Sequence, residues 1–409
     1  MNKIKKYSFV ISMFISLVLA TIVGIFASDE FVSFIAPLGD IFVNLMFTLV
    51  VPLVFLTISS SIANMNKKVK LSKILNRTFL IFVITSAISA IVMLLIVTFI
   101  DPASSIDINI IGQQQEKVNF LGQIADAISV PNFSDLLTKN HMLALIVFSL
   151  IFSISLRCVD KDGKISKGLE ILSNAMLKFV KIIMYYAPIG VFAYFANLIK
   201  SYGNDVISTY FKTFMIYIIV SILYFLVFYT LYAYIAKGKE GVKSFYKSIL
   251  PSFTCSLATQ SSLASLPTNL DVAKEMKIND DVSNVSLPLG ATIHMEGSAI
   301  GSILKIFFLF SVFNMPINGF STYAVALIIA IASGVVMSGI PGGGLIGEML
   351  IVSLYGFPLS AFTMIATIGW LIDAPATMLN VCGDITSAML IEKSINTKKK
   401  IKKSDILNS

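Results

Sequence analysis

The chain has 409 residues, of which 56% are hydrophobic and 13% charged, against about 25% charged in a soluble domain. Its mean hydropathy of +0.85 excludes a soluble globular protein, and no sustained polar/apolar alternation supports a membrane β-barrel. The net charge of +8 raises nucleic acid as a partner, but the placement of the lysines gives a different reason for it.

A basic MNKIKK precedes an apolar run over residues 7–27. The run is about 20 residues long and ends without a small-residue cleavage site, so it reads as the first spanning helix rather than a signal peptide. The second span is expected near 42–63, with Pro52 inside it, followed by Lys67, Lys68, Lys70, Lys73 and Arg77. The third span is expected over 78–100. Residues 101–140 are polar, and another apolar run covers 142–156. Arg157, Lys161, Lys164 and Lys167 follow, then a long helix expected over about 165–199. A further span over 211–236 ends in KGKEGVKSFYK.

The basic residues cluster in the N-terminus, the 64–77, 157–167 and 237–247 loops and the tail after Glu392. The 28–41 and 101–140 segments lack such clusters. Cytoplasmic loops carry the excess of Lys and Arg, which places both termini inside. Lysines beside anionic lipid account for the net charge without nucleic acid.

The last 160 or so residues differ. Two apolar segments, 251–267 and 326–358, are each broken midway, by ATQSSLASLP and by SGIPGGG. Helix breaks within a membrane expose backbone groups and are tolerated where they line a cavity. Paired broken segments in two halves of a chain point to a binding site at the bilayer midplane.

The final apolar run carries Asp373, Thr377, Asn380 and Asp384, spaced four, three and four apart. At ~3.6 residues per turn all four share one helix face. A carboxylate at the bilayer centre costs about 2.5–3.5 kcal/mol, so this stripe is expected to face a polar site inside the protein. A polar helix–helix seam is the plain alternative. The three cysteines, Cys158, Cys255 and Cys382, fit no metal or disulfide spacing. Cys382, beside the stripe, reads as a small buried residue.

TQSSLASLP (259–267), LPLGATIHMEG (287–297), SGIPGGG (338–344) and NVCGD (380–384) together resemble the dicarboxylate/amino acid:cation symporter family. PLVF (52–55), ITSA (84–87) and YAPIGVFA (186–193) extend the resemblance upstream in the same order. It implies an all-α polytopic membrane protein, glutamate-transporter-like. The expected architecture is eight transmembrane helices plus two re-entrant helical hairpins, arranged as inverted repeats in a homotrimer. Residues 1–245 are then mostly scaffold, with the third helix joining the transport domain. Residues 246–395 form its core: hairpins near 246–278 and 323–357, a seventh span near 282–312 and an eighth near 360–393. Residues 396–409 form a basic cytoplasmic tail.

The resemblance also implies a substrate site of Ser262, Ser298, Gly344, Asp373, Ala376, Thr377 and Asn380. Asp373 holds an α-ammonium, while Asn380 and the hairpin-tip amides hold the α-carboxylate. The first sodium site matches Asp384 with carbonyls of Gly290, His294 and Asn380. The second matches carbonyls of Thr292, Gly334, Val335 and Met337. The third falls on Thr85, Ser86, His294 and Glu296. Hard cations take oxygen ligands, and the family usually has Asn and Asp where this chain has His294 and Glu296. The third site is therefore expected to be altered, lost or protonic, and a satisfied buried histidine is the plain alternative for His294.

Members that carry acidic amino acids place an Arg where this chain has Ala376, and the arginine that some members carry before the paired serines is Gln260 here. No Arg follows Arg157. A buried second carboxylate would lack its bidentate partner. The expected function is import of a neutral amino acid, serine- or threonine-like, coupled to Na+ by an elevator-type mechanism at the plasma membrane. Proton coupling, and cystine or dicarboxylate as substrate, are the alternatives within the family. A channel would line one open pore. An enzyme would need a catalytic set, and no zinc pattern or Ser/His/Asp arrangement is visible. A purely structural membrane protein leaves both broken hairpins unexplained.

Overall fold

The computed structural model describes residues 3–64, 72–103, 129–138, 141–317, 319–337 and 344–407. Among these, the regular secondary structure is helical. The helices are α1 (Lys3–Phe26), α2 (Asp29–Ala63), α3 (Ser72–Phe99), α4 (Met142–Val159), α5 (Lys164–Met184), α6 (Ala187–Tyr202), α7 (Asn204–Tyr224) and α8 (Thr230–Ser248). They continue with α9 (Leu250–Thr259), α10 (Ser262–Glu275), α11 (Asp280–Ile293), α12 (Glu296–Val312), α13 (Gly319–Met337), α14 (Gly344–Tyr355) and α15 (Leu359–Leu407). Four stretches of the described chain are long and apolar enough to cross a membrane: Ile74–Phe99, Val206–Ser248, Asp280–Val312 and Ser360–Ile395.

Several elements depart from their expected bounds. α2 begins at Asp29, well before residue 42. Ser28 caps it, accepting from the Phe31 amide at 3.3 Å, and Asp29 and Glu30 sit in its first turn. Acidic residues there complement the helix dipole, so charges that suggest a loop instead start a helix. The helix expected over 165–199 is two helices, α5 and α6, bent by 56°. Pro188 explains the bend: it has no N–H to donate and crowds the carbonyl of Met184. The run after α7 passes through a π-helical turn, Phe225–Tyr229, and breaks again at Lys237–Gly238. The seventh span is also two helices, α11 and α12, parted at His294–Met295.

The helices pack in two groups. α1 and α2 pack against α6, and α2 also packs against α4 and α5. α12 packs against α3, α13 and α15, and α15 packs against α3, α7 and α8–α12. One face of α7 is fastened to that second group by tyrosines seven residues apart. Tyr210 donates to the Met364 carbonyl at 3.0 Å and Tyr217 to the Gly297 carbonyl at 2.9 Å, and the Tyr224 hydroxyl lies 3.4 Å from the Thr85 carbonyl. A phenol buried in an apolar setting needs such a partner.

Between α4 and α5 the loop is tied by Asp160. Its Oδ2 accepts from both the amide and the hydroxyl of Ser166, each at 2.8 Å. The Ser166 amide holds the Asp160 carboxyl below the usual carboxylate range. Asn64, at the end of α2, donates to the Ser166 carbonyl at 2.8 Å.

Candidate functional site

The site assembles at two interrupted helices and beside a third break that the sequence predicts. The first interruption lies between α9 and α10. Gln260 adopts a left-handed conformation (φ 49°) that side chains other than glycine seldom take, and Ser261 then caps α10 by accepting from the Ala264 amide at 3.2 Å. The α10 arm is fastened to α15 by Asn269, which donates to the Val381 carbonyl at 3.0 Å. The second interruption is His294–Met295, both with non-helical backbone. The third is expected at SGIPGGG; residues 338–343 of it lie outside the described residues, and Gly344 opens α14.

Asp373, Thr377, Asn380 and Asp384 lie on the single helix α15, whose polar stripe faces inward. Thr377, Asn380 and Asp384 are 5%, 3% and 1% exposed, and Asp373 is half-buried, so the stripe does not face lipid. Asn380 closes the N-terminus of α12. Its Oδ1 accepts from the amides of Gly297 at 2.8 Å and Ser298 at 3.3 Å, and its Nδ2 donates to the Ser298 hydroxyl at 3.2 Å. Two of the backbone donors left free at a helix start are thereby satisfied.

Asp384 lies against α11. Its Oδ1 is 2.9 Å from His294 Nδ1, while its Oδ2 is buried without a hydrogen-bond partner among the described residues. A Cβ on Gly290 would collide with this carboxylate. Glycine is what lets the α11 backbone approach so closely.

A second polar cluster adjoins it. Thr85 Oγ1 is 2.8 Å from His294 Nε2, and the His294 ring stacks on Phe82 with centroids 4.3 Å apart. Ser86 is buried beside Thr85. Glu296 is fully buried, with Oε2 2.8 Å from the Tyr229 hydroxyl and Oε1 3.2 Å from that of Tyr224. Tyr229 is delivered by the π-helical turn, a form of helix that is frequent at functional positions. The Tyr229 oxygen also lies 2.6 Å from the Leu379 carbonyl. A phenol has one proton and cannot donate to both acceptors. Both contacts are satisfied when Tyr229 donates to Leu379 and a proton on Glu296 donates to Tyr229.

The same helices α12 and α15 also line a cavity. Ser298, Gly344, Asp373 and Ala376 share its wall with Met337. Ser262 is buried at the start of α10, outside that wall, and Thr377 and Asn380 extend the same α15 face beyond it. Thr292 is half-buried, its hydroxyl donating to the Leu289 carbonyl at 2.8 Å. Gly334 lies against Met295, and Val335 follows it on α13.

The charged pair of the cavity wall, and Trp370 beside it, were missed by the sequence analysis. Lys305 Nζ is 2.6 Å from Glu348 Oε1, and the two side chains are 4% and 1% exposed. The signal was there: each is a lone charge in an apolar run, GSILKIFFLF and GEMLIVSL, and such a residue needs a partner.

A profile of the sodium:dicarboxylate symporter family matches residues 9–394. The chain belongs to that family. Among its relatives is a proton/sodium-glutamate symport protein of Bacillus caldotenax, 23% identical over 396 residues and covering 93% of each chain. An uncharacterized symporter of Haemophilus influenzae is 25% identical over 400 residues, covering 90% of this chain and 88% of the relative. Excitatory amino acid transporter 1 of Ambystoma tigrinum is 30% identical over 255 residues, 62% of this chain and 47% of that relative. In this last case the match spans about half the relative's length. The symporter family is one of multi-pass membrane transporters rather than enzymes, and the apolar helices of this chain agree with it.

Proposed function

We propose that this protein is a secondary active symporter that imports a neutral amino acid together with a cation. Asp373 receives the α-ammonium, a charge pair strengthened by the low dielectric around it. Ser298, Thr377, Asn380, Ser262 and the amides at Gly344 surround the α-carboxylate. The observation that carries the choice of substrate is that Asp373 and Ala376 share one cavity wall. The carboxylate for an amino group is present, and the position that carries a guanidinium in acidic-substrate members is a methyl group. A plain dicarboxylate would meet Asp373 with like charge.

Sodium is the coupling ion at Asp384, whose Oδ2 is buried and unpartnered, with the carbonyls of Gly290, His294 and Asn380 around it. Thr292, Gly334, Val335 and Met337 supply carbonyls to the second sodium. At the third position a proton replaces the ion. The observation favouring that exchange is the Tyr229 hydroxyl, which lies 2.6 Å from the Leu379 carbonyl and 2.8 Å from Glu296 Oε2 and has one hydrogen for the two, so that a proton on Glu296 completes the second contact.

The rest of the reading follows the family. Eight spanning helices and two re-entrant hairpins, α9–α10 and α13–α14, form a protomer of a homotrimer in the plasma membrane, with both termini cytoplasmic. α3, the hairpins, α11–α12 and α15 move as the transport domain. Uptake into proteoliposomes under imposed sodium and proton gradients, with competition by an amino-acid panel, tests this. Accumulation of serine or threonine against a gradient is expected. Competition by aspartate or glutamate alone would overturn the substrate assignment, and flux that never accumulates would make the protein a channel.

A further inference from the structure

The cavity holds more than Asp373. Lys305 and Glu348 form a buried ion pair in its wall, joining α12 to α14. The pair satisfies only one carboxylate oxygen: Glu348 Oε2 is buried and has no partner among the described residues. A second wall residue is in the same condition, since Trp370 Nε1 is also buried without a partner. Gly369 beside it is small enough for Glu348 to sit against the α15 backbone, where a Cβ would collide with Oε1.

The residues of one cavity wall therefore carry an idle acceptor and an idle donor. Leaving either unpaired in the closed site is costly, and a guest that satisfies both removes the cost. A carboxylate would meet the open Glu348 oxygen acceptor to acceptor. An apolar side chain would leave both groups unpaired. A hydroxyl both donates and accepts, and so does a carboxamide.

We propose that Lys305, Glu348 and Trp370 form the side-chain subsite, and that it selects neutral side chains bearing a hydroxyl or a carboxamide. This rests on the amino-acid symport reading above and sharpens its substrate. Lys305 fixes the Glu348 carboxylate in place and offsets its charge. Glu348 Oε2 accepts from the substrate side chain, and Trp370 Nε1 donates to it. Asp373 remains free for the α-ammonium.

The test is uptake in proteoliposomes with pairs of equal shape, threonine against valine and serine against alanine. A site that hydrogen-bonds a hydroxyl rejects the analogue lacking it. Threonine is expected to compete at least about tenfold better than valine in the wild-type protein. Trp370→Phe, which keeps a ring and removes the donor, is expected to shrink that ratio several-fold. Lys305→Met with Glu348→Leu removes both charges together, avoiding a buried unpaired ion, and is expected to bring the ratio to about one. Equal competition by threonine and valine in the wild type overturns the subsite while amino-acid symport stands. An unchanged ratio in Trp370→Phe or in the double variant does the same. Absence of uptake for every amino acid overturns the subsite and the symport reading together.

Discussion

His294 Nδ1 lies 2.9 Å from Asp384 Oδ1, and on its other side His294 Nε2 lies 2.8 Å from Thr85 Oγ1. One imidazole thus bridges α15 to α3 at the break between α11 and α12. With Nδ1–H donating to Asp384, Nε2 is left as an acceptor for the Thr85 hydroxyl, so a neutral ring satisfies both sides. His294→Ala takes the hydrogen bond from the buried Asp384 Oδ1, at about 1–3 kcal/mol, while the Thr85 hydroxyl keeps the Ile81 carbonyl at 3.0 Å. A lower melting temperature in detergent and weaker sodium dependence are expected together. His294→Asn, which can still reach one neighbour, should recover part of the loss. A His294→Ala protein with unchanged melting and sodium dependence would remove the bridge from the argument.

The backbone at Gly290 closely approaches the Asp384 carboxylate. A methyl group there meets the carboxylate directly. Gly290→Ala is expected to raise the sodium concentration for half-maximal uptake by about tenfold or more, since overpacking costs about 1–3 kcal/mol. Sodium titration of uptake reads this out. A variant with the wild-type sodium curve would show that Asp384 is not a cation ligand.

Glu296 and Tyr229 carry the proposal of a proton at the third position. Glu296→Gln keeps a donor toward the Tyr229 oxygen and cannot ionise. Uptake driven by an inward proton gradient is expected to fall by more than about tenfold, while counterflow exchange, which needs no net proton movement, persists. Loss of both activities would mean that Glu296 is needed for binding itself.

Composition and periodicity made the helical membrane class readable, because hydropathy and in-phase polar residues depend only on local spacing. The inward face of Thr377, Asn380 and Asp384 follows from the same cause. Helix ends were harder. The start of α2 at Asp29 depends on a cap at Ser28, and the bend between α5 and α6 depends on Pro188. Lys305 and Glu348 escaped because they lie 43 residues apart and their pairing is tertiary. The two hydroxyls on Glu296 escaped for the same reason, since Tyr224 and Tyr229 sit on another helix and on a π-helical turn that no spacing rule foretells.

Asp160 lies in the loop joining α4 and α5, outside the spans. Its carboxyl titrates below the usual carboxylate range because the Ser166 amide and hydroxyl bond its ionised form. A group with a depressed folded pKa contributes stability above its unfolded value, about 3.9, and loses it as pH falls through the lower folded value. At neutral pH the contribution is complete. Asp160→Ala is therefore expected to lower the melting temperature at pH 7, with the gap to wild type narrowing as the pH drops below about 4. A gap that is constant across that window would show that the ionised carboxylate does not hold the loop.

Ala376 gives the sharpest reversal of substrate preference. It is 7% exposed and lines the cavity with Asp373 and Lys305. Arginine there brings a planar fork of donors that matches a carboxylate bidentately. It also has the Glu348 oxygen within the same cavity wall as a competing partner. Ala376→Arg is expected to weaken competition by serine and threonine and to strengthen competition by aspartate. The shift in their ratio should be about tenfold or more, the size of one charged hydrogen bond. Competition assays on the variant beside the wild type measure it. An unaltered rank order would place the side-chain pocket elsewhere, because a guanidinium inside this cavity cannot leave acidic and neutral guests equally ranked.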